Sequence, residues 1–175
     1  LSRVSKVTKN AYGVDISKNL ISIARKKGLK VKYGDATKLP FSKNSFDIVY
    51  SLKVLPHVQN IKEAIKEISR VTKKNGYLIL EFYNPYSVRF LTNKFKDLIS
   101  KQRTFTRYYN IKNIKLLLPE NLKLLDFYGI RIFTLFGFLY RILIISKIFK
   151  NLDSKFQHSM MRYFAGYLIV IISRV

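Results

Sequence analysis

Two aspartates stand where an acid could do binding chemistry. Asp15 closes the short apolar run from Ala11 to Val14, and Asp35 follows Gly34 after the run Leu29 to Tyr33. Both runs read as short buried strands. In an open parallel sheet, ligands bind in the crevice at the carboxyl ends of the strands. A carboxylate there can accept hydrogen bonds from both hydroxyls of a ribose, and a second acid one strand over can meet an adenine amino group. Each acid alone also has a plainer reading, because strand-end aspartates often cap a helix or a turn.

The elements that would position these acids follow from the pattern. Ser17 is a candidate N-cap, and Leu20, Ile21 and Ala24 continue at helical spacing until Gly28 stops the helix. A loop with Pro40 leads to a third strand, Phe46 to Ser51. Ile61, Ala64, Ile65, Ile68 and Val71 form one face of a helix. Asn75-Gly76 is a turn signal, and Tyr77 to Phe82 reads as a fourth strand. This alternation predicts a parallel sheet with right-handed crossovers, its apolar strands covered on both faces. Further on, Pro85 to Ser100 and Ile111 to Leu118 read as helices, and Leu122 to Phe133 and Gly166 to Ser173 as strands.

Length and composition bound the function. At 175 residues, the chain is expected to be one domain, 1–175, with 83–165 holding a lid or substrate-facing helical region. With 48% hydrophobic residues it can build a core. It has no Cys, which excludes disulfides, thiolate metal sites and a cysteine nucleophile. Two His argue against a multi-histidine cage, so no metal is expected. Residues 1–12 are polar and basic, without the apolar stretch of a signal peptide. The net charge of +23 would attract nucleic acid or an anionic membrane. The basic residues are scattered, however, which favours a solvated surface.

Several motifs in order resemble one family. Tyr12-Gly13-Val14-Asp15-Ile16-Ser17 resembles the second-strand motif of class I S-adenosylmethionine-dependent methyltransferases. Gly34-Asp35-Ala36-Thr37-Lys38-Leu39-Pro40-Phe41 resembles their third-strand loop. Phe46 to Ser51, followed by Val54-Leu55-Pro56-His57-Val58, resembles the fourth strand and its loop. Arg70 to Leu78 resembles the approach to the fifth strand. The resemblance is specific over residues 11–82 and closest to the subgroup that includes ubiquinone- and menaquinone-pathway methyltransferases. It implies a Rossmann-like α/β sheet, mostly parallel with an antiparallel last strand. Asp15 would bind the ribose hydroxyls of S-adenosylmethionine and Ile16 would pack on its adenine. Asp35 would accept from the adenine amino group, with a backbone contact from Ala36. Ser51 and Leu52 would line the methionine end. His57 is a candidate catalytic residue in the substrate-facing loop, and Tyr83 and Asn84 are candidates for orienting the acceptor. Tyr86, Phe90, Phe105, Tyr108 and Tyr109 lie in the segment expected to fold over the site.

Three departures qualify the match. No G-x-G-x-G loop and no strand before it occur in residues 1–10, which look like the tail of a helix. The first strand and glycine loop are therefore expected to be missing, as in a chain truncated at its amino end. Pro56 replaces a histidine often found in the fourth-strand loop, and Lys74-Asn75-Gly76 replaces the family's Pro-Gly-Gly turn. The expected activity is methyl transfer to a small, hydrophobic acceptor such as a quinone precursor or lipid, in a cytoplasmic protein. Peripheral membrane contact through 132–149 is the expected partner surface, because Arg141 and Lys147 argue against a span. The alternatives are an RNA methyltransferase, with nucleic acid disfavoured, and an inactive fold that binds a partner or an anionic surface. The oligomeric state is left open.

Overall fold

A computed structural model describes residues 1–99, 105–132 and 143–175. A 3-10 turn, Val4–Lys6, leads into strand β1, Tyr12–Asp15. Helix α1, Lys18–Lys26, then returns the chain to β2, Lys30–Tyr33. The helix starts because the Ser17 side chain accepts from Leu20 N–H. It ends because Gly28 takes φ +70°, which lets Gly28 N–H bond Arg25 O and Leu29 N–H bond Ala24 O. Strand β3, Phe46–Ser51, is followed by a 3-10 turn, Leu55–His57, and by α2, Ile61–Val71, capped by Asn60.

Strand β4 spans Thr72–Tyr83, longer than the pattern predicts. The expected turn lies inside it. Thr72 pairs with Phe46 and Tyr77 pairs with Ile48, so residues 73–76 form an excursion opposite Asp47. Asn75 takes φ 61° there. Gly76 is required by space: a Cβ would stand 2.8 Å from Asp47 O and from Thr72 Cγ2. Helices α3, Val88–Ile99, and α4, Ile111–Leu117, follow, then β5, Leu122–Ile130. Helix α5, Leu143–Phe156, and a 3-10 turn, Met160–Phe164, lead to β6, Tyr167–Arg174.

The strands form two sheets, β1-β2 and β3-β4-β6-β5. The pairs β1–β2 and β3–β4 are parallel, and β6 is antiparallel to both β4 and β5. The expectation of a mostly parallel sheet with an antiparallel last strand is met. The sheet is divided, though: among the described residues, no ladder joins β1 to β3. The two strands approach at their amino ends, where Tyr12, Phe41 and Phe46 form a ring cluster with centroids 4.8–6.2 Å apart.

Among the described residues, burial is uneven between the two faces of the larger sheet. The core gathers on one face, where Ile65 and Ile68 of α2 and Ile114 of α4 pack on Leu78, Leu80 and Phe82. On the other face, Ile48 and its partner Tyr77 remain exposed. Of the apolar stretch 132–149, residues 133–142 lie outside the described residues. Among the described residues, no helix is long and apolar enough to cross a membrane.

Candidate cofactor and acceptor site

The candidate acids arrive together at one end of the molecule. β1 and β2 are in register, Asp15 opposite Tyr33, so Asp15 and Asp35 occupy the carboxyl ends of adjacent parallel strands. Gly34 N–H donates to Asp15 O at 3.2 Å and ties the two ends. Each carboxylate is held by its own turn. Asp15 Oδ1 accepts from Ser17 N–H at 2.8 Å. Asp35 Oδ1 accepts from Thr37 N–H and from the Thr37 hydroxyl, each at 2.7 Å. The Thr37 hydroxyl, and then its N–H, hold the Asp35 carboxyl below the usual carboxylate range, so Asp35 is ionised at neutral pH. Turn-capping and ligand-binding roles are compatible here, because a carboxylate has about four lone-pair positions.

Ile16 is exposed beside Asp15. Ala36 is half-buried and packs on the core edge. Ser51 ends β3, half-buried and paired with Leu80, and Leu52 just beyond it is exposed.

The acceptor side is built from β4 and the segment after α3. Tyr83 ends β4, half-buried. Burial, with Tyr167 and Glu81 adding to it, pushes its phenol above the usual range despite Arg89, so it is a protonated O–H donor. The His57 ring stands edge-on to Tyr83 at 5.6 Å. Its Nδ1 lies 3.0 Å from Phe105 O and 3.3 Å from Thr106 Oγ1. A proton on Nδ1, donated to Phe105 O, leaves Nε2 as the lone-pair nitrogen. Residues 105–109 lie across this end: Arg107 N–H donates to Pro56 O and Tyr109 N–H to Tyr83 O. Tyr108 packs near Tyr83 and Phe90. Tyr109 faces the core and stacks on Phe82, while Tyr86 is exposed and its hydroxyl accepts from Asn110.

Asn84 does a different job from its neighbour. It is fully buried, and its amide donates to Tyr163 O and Ala165 O at 2.8 Å each. Its side-chain oxygen accepts from Tyr86 N–H at 3.2 Å. Both donor hydrogens are engaged, so Asn84 clamps the turn before β6 and offers no donor to an acceptor molecule.

Two features went unread in the sequence. One is the Glu67–Arg70 pair on α2. Arg70 binds Glu67 through Nε (2.6 Å) and Nη2 (2.8 Å), and Phe41 O and Leu39 O through its other contacts. Glu67 in turn accepts Leu39 N–H at 2.8 Å. The pair stitches the loop after Asp35 to α2. The other is Glu81, an acid inside the apolar run Leu78 to Phe82, which is 6% exposed. The signal was that lone acid itself. Among the described residues, no cluster of His, Cys, Asp or Glu could hold a metal ion.

Comparison with known proteins finds similar sequences and folds. Residues 1–80 match the family model described as a methyltransferase domain. An uncharacterised protein of Methanocaldococcus jannaschii is 32% identical over 120 residues, covering 63% of this chain and 48% of that protein. The demethylmenaquinone methyltransferase of Staphylococcus aureus is 34% identical over 84 residues, covering 45% of this chain and 35% of that enzyme. The chain thus spans less than half the length of these curated relatives. Among solved structures, a methyltransferase of Thermotoga maritima, described as a possible histamine N-methyltransferase, superposes with a TM-score of 0.67 at 19% identity. It covers 93% of this chain and 72% of that one. The likeness is one of fold.

Proposed function

We propose that this chain, which carries the methyltransferase-domain pattern over residues 1–80 on a class I methyltransferase fold, transfers a methyl group from S-adenosylmethionine to a small, hydrophobic acceptor. The observation that supports this reading most is the placement of Asp15 and Asp35 on adjacent parallel strand ends, each with one carboxylate oxygen fixed by its own turn. Such acids suit the hydroxyls of a ribose and the amino group of an adenine, and exposed Ile16 suits the adenine face. The bound cofactor would supply an electrophilic methyl group on a sulfonium. The chain's own work is to hold a nucleophile in line with it, an orientation effect worth roughly 7–11 kcal/mol at best. Tyr83 would donate to a polar atom of the acceptor. His57 Nε2 would be the base if the nucleophile must lose a proton. The demethylmenaquinone methyltransferase among the relatives supports a ring-bearing, hydrophobic acceptor. The +23 charge supports a second reading, RNA as the acceptor, whose binding would weaken steeply with salt.

Calorimetric titration with S-adenosylmethionine and S-adenosylhomocysteine is the test. Both ligands are expected to bind, and Asp15→Ala is expected to weaken both at least tenfold, about 1.4 kcal/mol. A folded sample that binds neither ligand would remove the activity from this chain.

A further inference from the structure

The acceptor side of the site contains a carboxylate that neither the motifs nor the roles above use. Glu81 lies two residues before Tyr83 on β4. Side chains alternate along a strand, and Leu78, Leu80 and Phe82 point into the core, so Glu81 shares the opposite face with Ile79 and Tyr83. Leu80 pairs with Ser51 at the end of β3, which puts Glu81 level with the strand exit at Leu52. It is 6% exposed, and among the described residues its Oε1 has no hydrogen-bond partner. Burial raises its pKa above the usual range, against the opposing influence of Lys53 and Arg131.

Leaving a buried carboxylate oxygen without a partner is costly, because its desolvation goes uncompensated. Such a group is expected to have a partner in some state of the protein. Its surroundings say what kind of partner. Tyr83 is the centre of a ring cluster in which His57, Tyr108 and Tyr167 have centroids 5.6, 6.1 and 5.0 Å from its own. Arg89 and Arg131 both lie over the Tyr167 ring, at 5.2 and 5.5 Å. The setting is aromatic, with the unpartnered Glu81 Oε1 on the same strand face as Tyr83. The covering segment 105–109 is tied here by backbone hydrogen bonds to Pro56 O and Tyr83 O.

We infer that Glu81 is an acceptor-binding residue: its carboxyl receives the hydrogen bond of a hydroxyl carried on the aromatic ring of the methyl acceptor. The inference rests on the methyl-transfer reading and adds to it a requirement on the substrate, a ring O–H that ethers lack. Recognition of this kind is selective, because an analogue without the donor leaves the buried oxygen unpaired.

The experiment compares two probes, 2-naphthol and 2-methoxynaphthalene, by calorimetry on the whole chain. The wild type is expected to bind 2-naphthol at least tenfold more tightly than the ether. Glu81→Leu is expected to bring the two affinities within about twofold, and the near-isosteric Glu81→Gln to fall between. Circular dichroism first establishes that each variant is folded. If Glu81→Leu does not fold, Glu81→Gln decides alone, by whether its naphthol preference drops. An unchanged preference in the folded variants overturns the inference, because a structural acid would leave selectivity untouched. Absence of binding by the wild type overturns it as well. S-adenosylhomocysteine binding, measured in the same samples, separates this outcome from failure of the methyl-transfer reading. Naphthol selectivity without cofactor binding would sink that reading and leave Glu81 as a ligand site.

Discussion

Asn84 and Tyr83 are neighbours in sequence with opposite fates. Tyr83 keeps its hydroxyl among Glu81, Tyr167 and Arg89, whereas Asn84 spends its amide on two backbone carbonyls. Nothing in the run Tyr83-Asn84-Pro85 separates these roles. A strand-exit Asn suits a ligand and a turn clamp equally, and the partners, Tyr163 and Ala165, lie about eighty positions away. Asn84→Ala should therefore act on stability rather than on acceptor binding. It strands two carbonyls and one N–H, for a loss of about 2–4 kcal/mol. Thermal unfolding would register this as a drop of several degrees. A midpoint within a degree of wild type would contradict the clamp. Asp15 and Asp35 were legible because an acid after a short apolar run is an unusual local event. Glu81 is a lone acid as well, but it stands inside an apolar run, where the pattern indicates a strand and not a site.

At the level of elements, periodicity located β3 and α2 to the residue, since each has a single apolar face packed on one neighbour. It could not show what fastens them to the loop between Asp35 and Phe46. That fastening is Glu67 and Arg70, whose sequence spacing looks like an ordinary surface pair. The Arg70 guanidinium, with help from Leu39 N–H, holds the Glu67 carboxyl below the usual carboxylate range. A depressed folded value means that the unfolded chain binds the proton more readily. The contribution of Glu67 is thus complete above the unfolded value near pH 4.5 and is lost as pH falls through the lower folded value. Urea unfolding of wild type and Glu67→Gln should show a stability gap at pH 7 that shrinks steadily below pH 4.5. A gap independent of pH would mean the pair contributes through shape alone. The turn at Asn75-Gly76 was legible as a turn. Its position inside β4 was not, because the strand resumes pairing only through contacts with β3.

At the scale of the molecule, the alternation of strands and helices indicated a parallel sheet, and the antiparallel last strand was legible only through the resemblance of the motifs to a known family. Among the described residues no ladder joins β1 to β3, so the expected single sheet is met as two. Which face carries the main apolar cluster was not legible, because periodicity shows that a face is apolar without showing which side of a sheet it meets. Nor does the pattern say whether the +23 charge serves a partner; the charges that the structure does use, such as Arg70, are local.

The divided sheet has a consequence for cooperativity. Backbone amides in β1, α1 and β2 are shielded by a two-stranded ladder and one short helix, whereas those of β4 and β6 lie in the middle of a four-stranded one. Sub-global opening should therefore release residues 12–33 at a lower free energy than the β4–β6 centre. Hydrogen exchange followed by mass spectrometry should find two protection classes with that boundary, and uniform protection would rule this out. Asp15 lies within the weaker unit and Asp35 just beyond it. Any ligand that both acids grip then binds only the closed form. It should slow exchange at β1 and β2 first, in proportion to ligand occupancy, while the β4–β6 amides hardly respond. For this molecule, recognition and the local folding of its first forty residues would be one equilibrium.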